Sequence, residues 1–343
     1  MHNLTIKSSN KDYQVNFYSK INELVESIND DKTFYLIDKN VNLLYKQYFK
    51  NKSKLIIPAS ENSKTLKYSS HIFDHLIDKG FKTDVHLVVI GGGILQDLGG
   101  FVASTFCRGV KYTLIPTTLL AQCDSCIGGK TSINHYKRKN ILGTFYPPTE
   151  IKICTEFLDT LSNFDLKSGY GELIKFHLLN NDLHNLDLDN LEQSIFYGLN
   201  KKSDIIERDE FDLGERKLLN FGHSFGHAFE SISEYKIPHG SAIIIGMMIA
   251  NEISFQLGEL EESYVKQTQQ KLYPHISHIK LDDKWFDFPK LLSYLKSDKK
   301  NTGDNINMVL INAYGEYNVK AINNLNLLKN SVNKIYEIIR LCN

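Results

Sequence analysis

The 343-residue chain has no surplus of charge: Lys and Arg together number 40, as do Asp and Glu, so the formal net charge is +0. Without a basic excess or an acidic tail, no nucleic-acid partner is expected. Long apolar runs are missing too. The longest, Ala242 to Ala250, is interrupted by Gly246 and is too short to span a bilayer. The opening MHNLTIKSSNKDYQV has no apolar core of a signal peptide, so neither secretion nor a membrane partner is expected. Cysteine is scarce and odd in number. Cys107, Cys123, Cys126, Cys154 and Cys342 are the usage of a reduced, cytoplasmic protein. Cys123-Asp124-Ser125-Cys126 is formally a C-x-x-C, but no second pair completes a zinc site, and incidental buried thiols are the expectation. No internal repeat or low-complexity segment occurs, and the length suffices for two domains with a substantial core.

What is present centres on Glu215 to Glu230, ERKLLNFGHSFGHAFE, followed by Ile237-Pro238-His239-Gly240. Leu218, Leu219, Phe221, Phe225, Ala228 and Phe229 recur at helical spacing, which predicts that most of the stretch is one helix. On that helix Arg216, Asn220, His223 and His227 fall three or four residues apart and share one face. Imidazole suits Zn²⁺, and a catalytic zinc takes three protein ligands and keeps a position open. The pair His223 and His227 has the spacing of H-E-x-x-H, yet Ser224 follows the first His, so that protease's general base is absent. Arg216 and Asn220 suit an anionic, hydroxyl-rich substrate better than a peptide.

Residues 1 to about 110 alternate short apolar runs with amphipathic stretches. Phe34–Ile37, Lys54–Ile57 and Val85–Ile90 read as buried strands, and Ser63–Leu76 has helical period, a pattern that implies a parallel sheet wound with helices. Val85–Ile90 runs into Gly91-Gly92-Gly93 and then a helix-like Ile94–Ala103. A strand, a glycine turn and a helix N-terminus can bind a phosphate through free amides, although a plain tight turn has the same look. This turn is not G-x-G-x-x-G, so no orthodox dinucleotide fingerprint is claimed. Tyr112–Thr118 is a further strand. Asp124, Gly128-Gly129-Lys130-Thr131 and Lys137-Arg138-Lys139-Asn140 follow in a loop region whose lysines either cradle a phosphate or are simply solvated.

Composition shifts near residue 155, and beyond it helical periods dominate at 165–180, 186–208, 216–232, 240–257 and 326–342. A boundary at 158/159 is expected, with an α/β domain before it and an all-α domain after it, apart from a patch at Asn307–Ile311 that fits neither pattern. In Ser168–His177, Glu172 and Lys175 share a helical face, as a local ion pair or as part of a site. With His223 and His239, Glu172 completes a His₂Glu set, which has catalytic precedent for zinc.

These separated motifs together resemble the 3-dehydroquinate synthases of the sugar-phosphate cyclase superfamily over about Asp38 to Lys300: GGGILQDLGGFVAST, RGVKYTLIPTTLLAQCDSCIGGKTSIN, KNILGTFYPP, SGYGELIK, DEFDLGERKLLNFGHSFGHAFE and PHG. The resemblance implies an α/β + all-α fold. A Rossmann-like NAD-binding domain would be followed by a helical metal-binding domain, with the active site between them, in a homodimer. It implies zinc, or Co²⁺ as a substitute, held by Glu172, His223 and His239. It implies NAD contacts by Asp38, Glu61, Lys64, Gly92, Gly93, Asp97, Thr117, Thr118 and Lys139. Arg108, Asp124, Lys130, Asn140, Lys175, Lys202, Arg216, Leu219, Asn220, His227 and His239 would meet a sugar-phosphate substrate. So would one of Lys299 and Lys300, in the Asp298-Lys299-Lys300 phosphate motif. His227, Asn220, Lys175, Arg216 and Asp212 would carry the chemistry. The implied reaction converts 3-deoxy-D-arabino-heptulosonate 7-phosphate to 3-dehydroquinate and phosphate, with no net redox. Departures from the family pattern are Asp212 for Glu, Gly171 for Ala, His177 for Gly, and Gln96 at a variable position. The alternatives are a sister cyclase acting on another sugar phosphate or an amino analogue, a metal-dependent polyol dehydrogenase, and a non-catalytic paralogue.

Overall fold

The structure, a computed structural model, describes all residues except 1, 29–31, 137, 181, 184–185, 278, 281, 299–300, 302–304, 313–315 and 343. The chain folds into two compact units, Met1–Ser162 with Asp189–Phe211, and Asn163–Leu188 with Asp212–Asn343.

In the first unit the order is β1 (Asn3–Ile6), β2 (Tyr13–Phe17), α1 (Ile21–Glu26), β3 (Thr33–Asp38), α2 (Lys39–Leu44), α3 (Lys46–Phe49), β4 (Lys54–Ile57), α4 (Leu66–Asp78), β5 (His86–Gly91), α5 (Gly93–Thr105), β6 (Lys111–Pro116), β7 (Lys130–His135), β8 (Arg138–Phe145) and β9 (Glu150–Ile153). A seven-stranded sheet runs β1-β2-β9-β6-β5-β3-β4, parallel throughout except where β1 pairs antiparallel with β2. The central strands are apolar on both faces: in β3 all six residues are buried, and in β5 all but His86. That pattern belongs to a parallel sheet covered by helices on both sides. From β3 the chain passes outward to β4, then crosses back to β5 on the other side of β3. The topological switch therefore lies between β3 and β5, where open α/β sheets bind ligands beyond the strand C-termini.

Two parts of this unit differ from the sequence reading. Lys130 to Phe145, read as loop, is an antiparallel hairpin. Its glycines and lysines hid the alternation, because only Thr131 and Ile133 of β7 face inward. Helix α7 (Leu191–Arg208), counted with the helical half, groups with the first unit. It packs on β1 and on the wide turn Ala121–Ser125. Its buried Lys202 donates there to the carbonyl oxygens of Asp124 (2.5 Å) and Ile127 (3.1 Å).

The second unit comprises α6 (Asn163–Leu179), α8 (His223–Ile232), α9 (His239–Gln256), α10 (Glu262–Leu272), α11 (Phe288–Ser297), β10 (Ile306–Ile311), β11 (Tyr317–Ile322) and α12 (Leu325–Cys342). It is helical around α9, whose residues Gly240 to Ser254 are all buried. A helix apolar all round belongs at the centre of a bundle, and α6, α8, α10 and α12 surround it. The unassigned patch at Asn307–Ile311 is a strand in a hairpin with β11, so this unit is not purely helical. Among the described residues no helix is long and apolar enough to cross a membrane.

The predicted single helix over Glu215–Glu230 is corrected by the structure. Glu215–Asn220 is a 3-10 turn, and α8 starts only at His223. Between them Gly222 has φ +77°, the left-handed region open to glycine. A side chain there would also collide with Ile243 O at 2.7 Å and Met247 Cγ at 2.6 Å of α9. Arg216 and Asn220 therefore do not share a helix face with His223 and His227.

Candidate active site

In the second unit the metal-ligating types meet at one point. Glu172 is fully buried in the middle of α6, His223 is the first residue of α8, and His239 is the first of α9. What brings α6 against the start of α9 is a contact of two glycines. A Cβ on Gly171 would stand 2.2 Å from Gly240 Cα, and one on Gly240 would stand 2.5 Å from the carbonyl oxygens of Lys167 and Ser168. Backbones touch there, so the side chains one residue along, Glu172 and His239, are neighbours.

The Nε2 atoms of His223 and His239 lie 3.4 and 3.2 Å from the same oxygen, Glu172 Oε1. One ligand atom from each of the three residues falls within 4.8 Å of the other two. A tetrahedral zinc with ligands at about 2.05 Å would separate them by about 3.3 Å. The donor set and its spacing fit such an ion. The opposite ring nitrogens are also engaged. His223 Nδ1 is 3.1 Å from the carbonyl oxygen of Phe221, and His239 Nδ1 is 3.2 Å from Glu230 Oε1. Anchored Nδ1 atoms leave both Nε2 atoms turned toward the carboxylate.

Charge follows geometry. Burial alone would keep Glu172 protonated, but the ammonium of Lys175, paired with its Oε2, and then His223 hold the carboxyl well below the usual carboxylate range. Burial pushes His223 down to about 4 against the pull of Glu172, so its ring is neutral and able to ligate. His239 meets the same burial, yet its hydrogen bonds to Glu172 and Glu230 raise it to about 10. Both rings touch one oxygen and still move in opposite directions, because only His239 has a second carboxylate behind it.

Around this centre His227 is half exposed, with its ring 5.4 Å from that of His223 and 6.4 Å from that of His239. Its Nδ1 is 3.8 Å from Asp298 Oδ2, so the predicted phosphate motif begins beside it. Lys299 and Lys300 lie outside the described residues. Arg216 and Leu219 are buried in the 3-10 turn, and Asn220 Nδ2 donates to the carbonyl of Lys217. Asp212 and Asn220 line a cavity of about 510 Å³ with Lys217, Ser224 and the strand residues Asn307 to Val309 and Val319.

The first unit gathers its candidates at the ends of four neighbouring parallel strands. Asp38 ends β3, Gly92 follows β5 and caps α5, and Thr117 and Thr118 follow β6. Glu61 and Lys64 follow β4. Asp38 is occupied locally, accepting the amides of Asn40, Val41 and Ala59. At Gly92 a Cβ would press on the Thr118 methyl at 2.9 Å, so glycine is what lets the segment after β6 pack against the N-terminus of α5, which no side chain caps. Lys64 is buried and pairs with Asp97, and its ammonium lies 2.5 Å from Asn140 Oδ1. Asp97 is pushed up by burial, against the pull of Lys64. Glu61 receives Asn134 Nδ2 at 2.7 Å and lies 3.9 Å from Lys139 Nζ. Lys202 pairs with Asp124 at 2.8 Å, while Arg108 and Lys130 are exposed.

Three contributors escaped the sequence reading. Ser132 donates to Asp97 at 3.0 Å, Asn134 accepts the Asn140 amide at 2.9 Å, and Glu230 anchors His239. The first two sit in the hairpin that was read as loop. The third could have been found, since Glu230 follows His223 and His227 at spacings of seven and three on α8.

Comparison with known proteins agrees with this architecture. The model of the 3-dehydroquinate synthase N-terminal domain matches residues 54–168, and that of the 3-dehydroquinate synthase C-terminal domain matches residues 169–301. A 3-dehydroquinate synthase of Thermoanaerobacter sp. (strain X514) is 33% identical over 95% of this chain and 98% of its own length. The chain belongs to the 3-dehydroquinate synthase family. Among solved structures, a 2-deoxy-scyllo-inosose synthase complexed with carbaglucose-6-phosphate, NAD⁺ and Co²⁺ has the same fold, with a TM-score of 0.84 at 24% identity over 97% of this chain and 100% of that one. A 2-epi-5-epi-valiolone synthase from Streptomyces hygroscopicus subsp. jinggangensis 5008, with NAD⁺ and Zn²⁺ bound, follows at TM-score 0.78 and 21% identity, over 95% and 97% of the two chains.

Proposed function

We propose that the protein cyclises 3-deoxy-D-arabino-heptulosonate 7-phosphate to 3-dehydroquinate with release of phosphate, as a cytoplasmic, homodimeric carbon–oxygen lyase of the shikimate pathway that uses NAD and zinc or Co²⁺. The observation that carries this reading is the convergence of Glu172, His223 and His239 at zinc-ligand spacing, in a chain of this family. When bound, NAD would take up and return reducing equivalents within one turnover, and the metal would polarise adjacent hydroxyls of the sugar.

The residues of the chain supply binding and proton handling. Glu172, His223 and His239 hold the metal. Lys175, against Glu172, offsets the buried negative charge and would bind substrate hydroxyls. Asp38, Glu61, Lys64, Gly92, Gly93, Asp97, Thr117, Thr118 and Lys139 hold the nucleotide, the uncapped N-terminus of α5 at Gly92 receiving its pyrophosphate. Arg108, Lys130, Lys202 and a lysine of the 299–300 pair bind substrate anions through charge, and Asp124 and Asn140 orient hydroxyls. Arg216, Leu219 and Asn220 shape the pocket on the α8 side. His227, half exposed and with Nδ1 toward Asp298, would pass a proton at Nε2 to a ring oxygen, with Asp212 as a further candidate in the chemistry.

The test is phosphate release from the heptulosonate phosphate by purified protein with NAD⁺ and Zn²⁺, repeated with EDTA. Chelator-sensitive release, with dehydroquinate formed and no net NADH, is expected. A folded protein that binds both cofactors and releases no phosphate overturns the substrate assignment.

A further inference from the structure

Every metal ligand here has something behind it, but the two histidines are backed differently. His223 Nδ1 faces a neutral backbone carbonyl, that of Phe221 at 3.1 Å. His239 Nδ1 faces a carboxylate, Glu230 Oε1 at 3.2 Å, whose side chain is only 15% exposed. Glu230 sits seven residues after His223, so α8 presents a metal ligand at its first residue and a carboxylate two turns on, along the same face. His239 starts α9, where Pro238 sets the entry of the chain and no side chain caps the helix. Nothing on α9 itself fixes the imidazole, and Glu230 reaches across to do so.

We infer that Glu230 is the positioning residue of the metal centre: its carboxylate accepts the Nδ1 proton of His239 and fixes the tautomer with a free Nε2 lone pair. This rests on the metal reading proposed above. A carboxylate behind a ligating histidine typically matters ten- to a hundredfold in metal affinity, because it fixes ring orientation and strengthens the donor.

The experiment measures metal rather than turnover. The metal-free protein is titrated with Zn²⁺ against a chromophoric chelator, and with Co²⁺ by visible absorption. Wild type is measured first. If it binds neither ion, the metal reading itself fails, and with it this inference. Given wild-type binding, Glu230→Gln is expected to weaken Zn²⁺ ten- to a hundredfold and to alter the Co²⁺ spectrum, with far-UV circular dichroism unchanged. In a His239→Ala background, which has already lost the ligand Glu230 supports, Glu230→Gln should change affinity less than threefold. Glu230→Asp, with the charge kept but drawn back by one methylene, is the second variant should the glutamine variant not fold, and at least a fivefold loss is expected. Binding within threefold of wild type in whichever single variant folds, or an undiminished effect of Glu230→Gln without His239, overturns the inference.

Discussion

Replacing Gly240 by Ala would test whether one backbone contact builds the metal centre. The added Cβ would lie 2.5 Å from the carbonyl oxygens of Lys167 and Ser168 and 2.7 Å from Gly171 N, all of them backbone atoms that cannot rotate aside. Ordinary contact starts at 3.4 Å, so the first turn of α9 must withdraw from α6 by about 0.9 Å, the difference between 3.4 and 2.5 Å. That movement takes His239 Nε2 from 3.2 Å to as much as about 4.1 Å from Glu172 Oε1, beyond the about 3.3 Å edge that a tetrahedral zinc requires. Two losses are expected. Overpacking should cost about 1–3 kcal/mol of stability in the metal-free protein, read by urea unfolding. Zinc affinity should fall at least tenfold, about 1.4 kcal/mol, read by chelator competition. Gly258→Ala is the control, since its Cβ meets nothing within 4 Å and only the φ of +76° is strained. It should lose some stability and no zinc affinity. A Gly240→Ala protein that binds zinc as tightly as wild type would refute the reasoning.

Glu172→Gln and His223→Ala should each lose zinc and phosphate release together while keeping the helical circular dichroism of the fold. Turnover in a variant verified to be metal-free would remove the metal from the mechanism. The thiols offer a pH test. Burial pushes Cys126 up to about 12 and Cys154 up to about 11, so below pH 9 their reactive thiolate fraction is about 1% or less. At pH 9 iodoacetamide should label exposed Cys107 and leave Cys126 and Cys154 unlabelled, as peptide mass mapping would show. Rapid labelling of Cys126 would revive a redox reading of the C-x-x-C.

Much of this protein was legible along the chain because it depends on local periodicity. Strands β3, β4, β5 and β6 announced themselves as short apolar runs, the last three closed by Pro or Gly, and their alternation with helices implied a parallel sheet. Residue type and order were enough to single out Glu172, His223 and His239, since only a few side chains ligate zinc. What periodicity could not carry was decided by contacts between segments far apart in sequence. The helix expected over Glu215–Glu230 breaks because Gly222 lies against Ile243 and Met247, a constraint written in another helix. The Lys130–Phe145 hairpin exists because Thr131 and Ile133 bury while polar neighbours face outward, a two-residue signal too weak to read alone. Helix α7 belongs with the first unit because Lys202 finds Asp124 and two carbonyl oxygens there. Above all, His223 and His239 move in opposite directions because burial prevails at the first ring, while at the second Glu230 joins Glu172 in opposing it. The sequence by itself determined which groups could ligate a metal. Tertiary structure decided that Gly171 and Gly240 touch, and so brought those groups within the span of one ion.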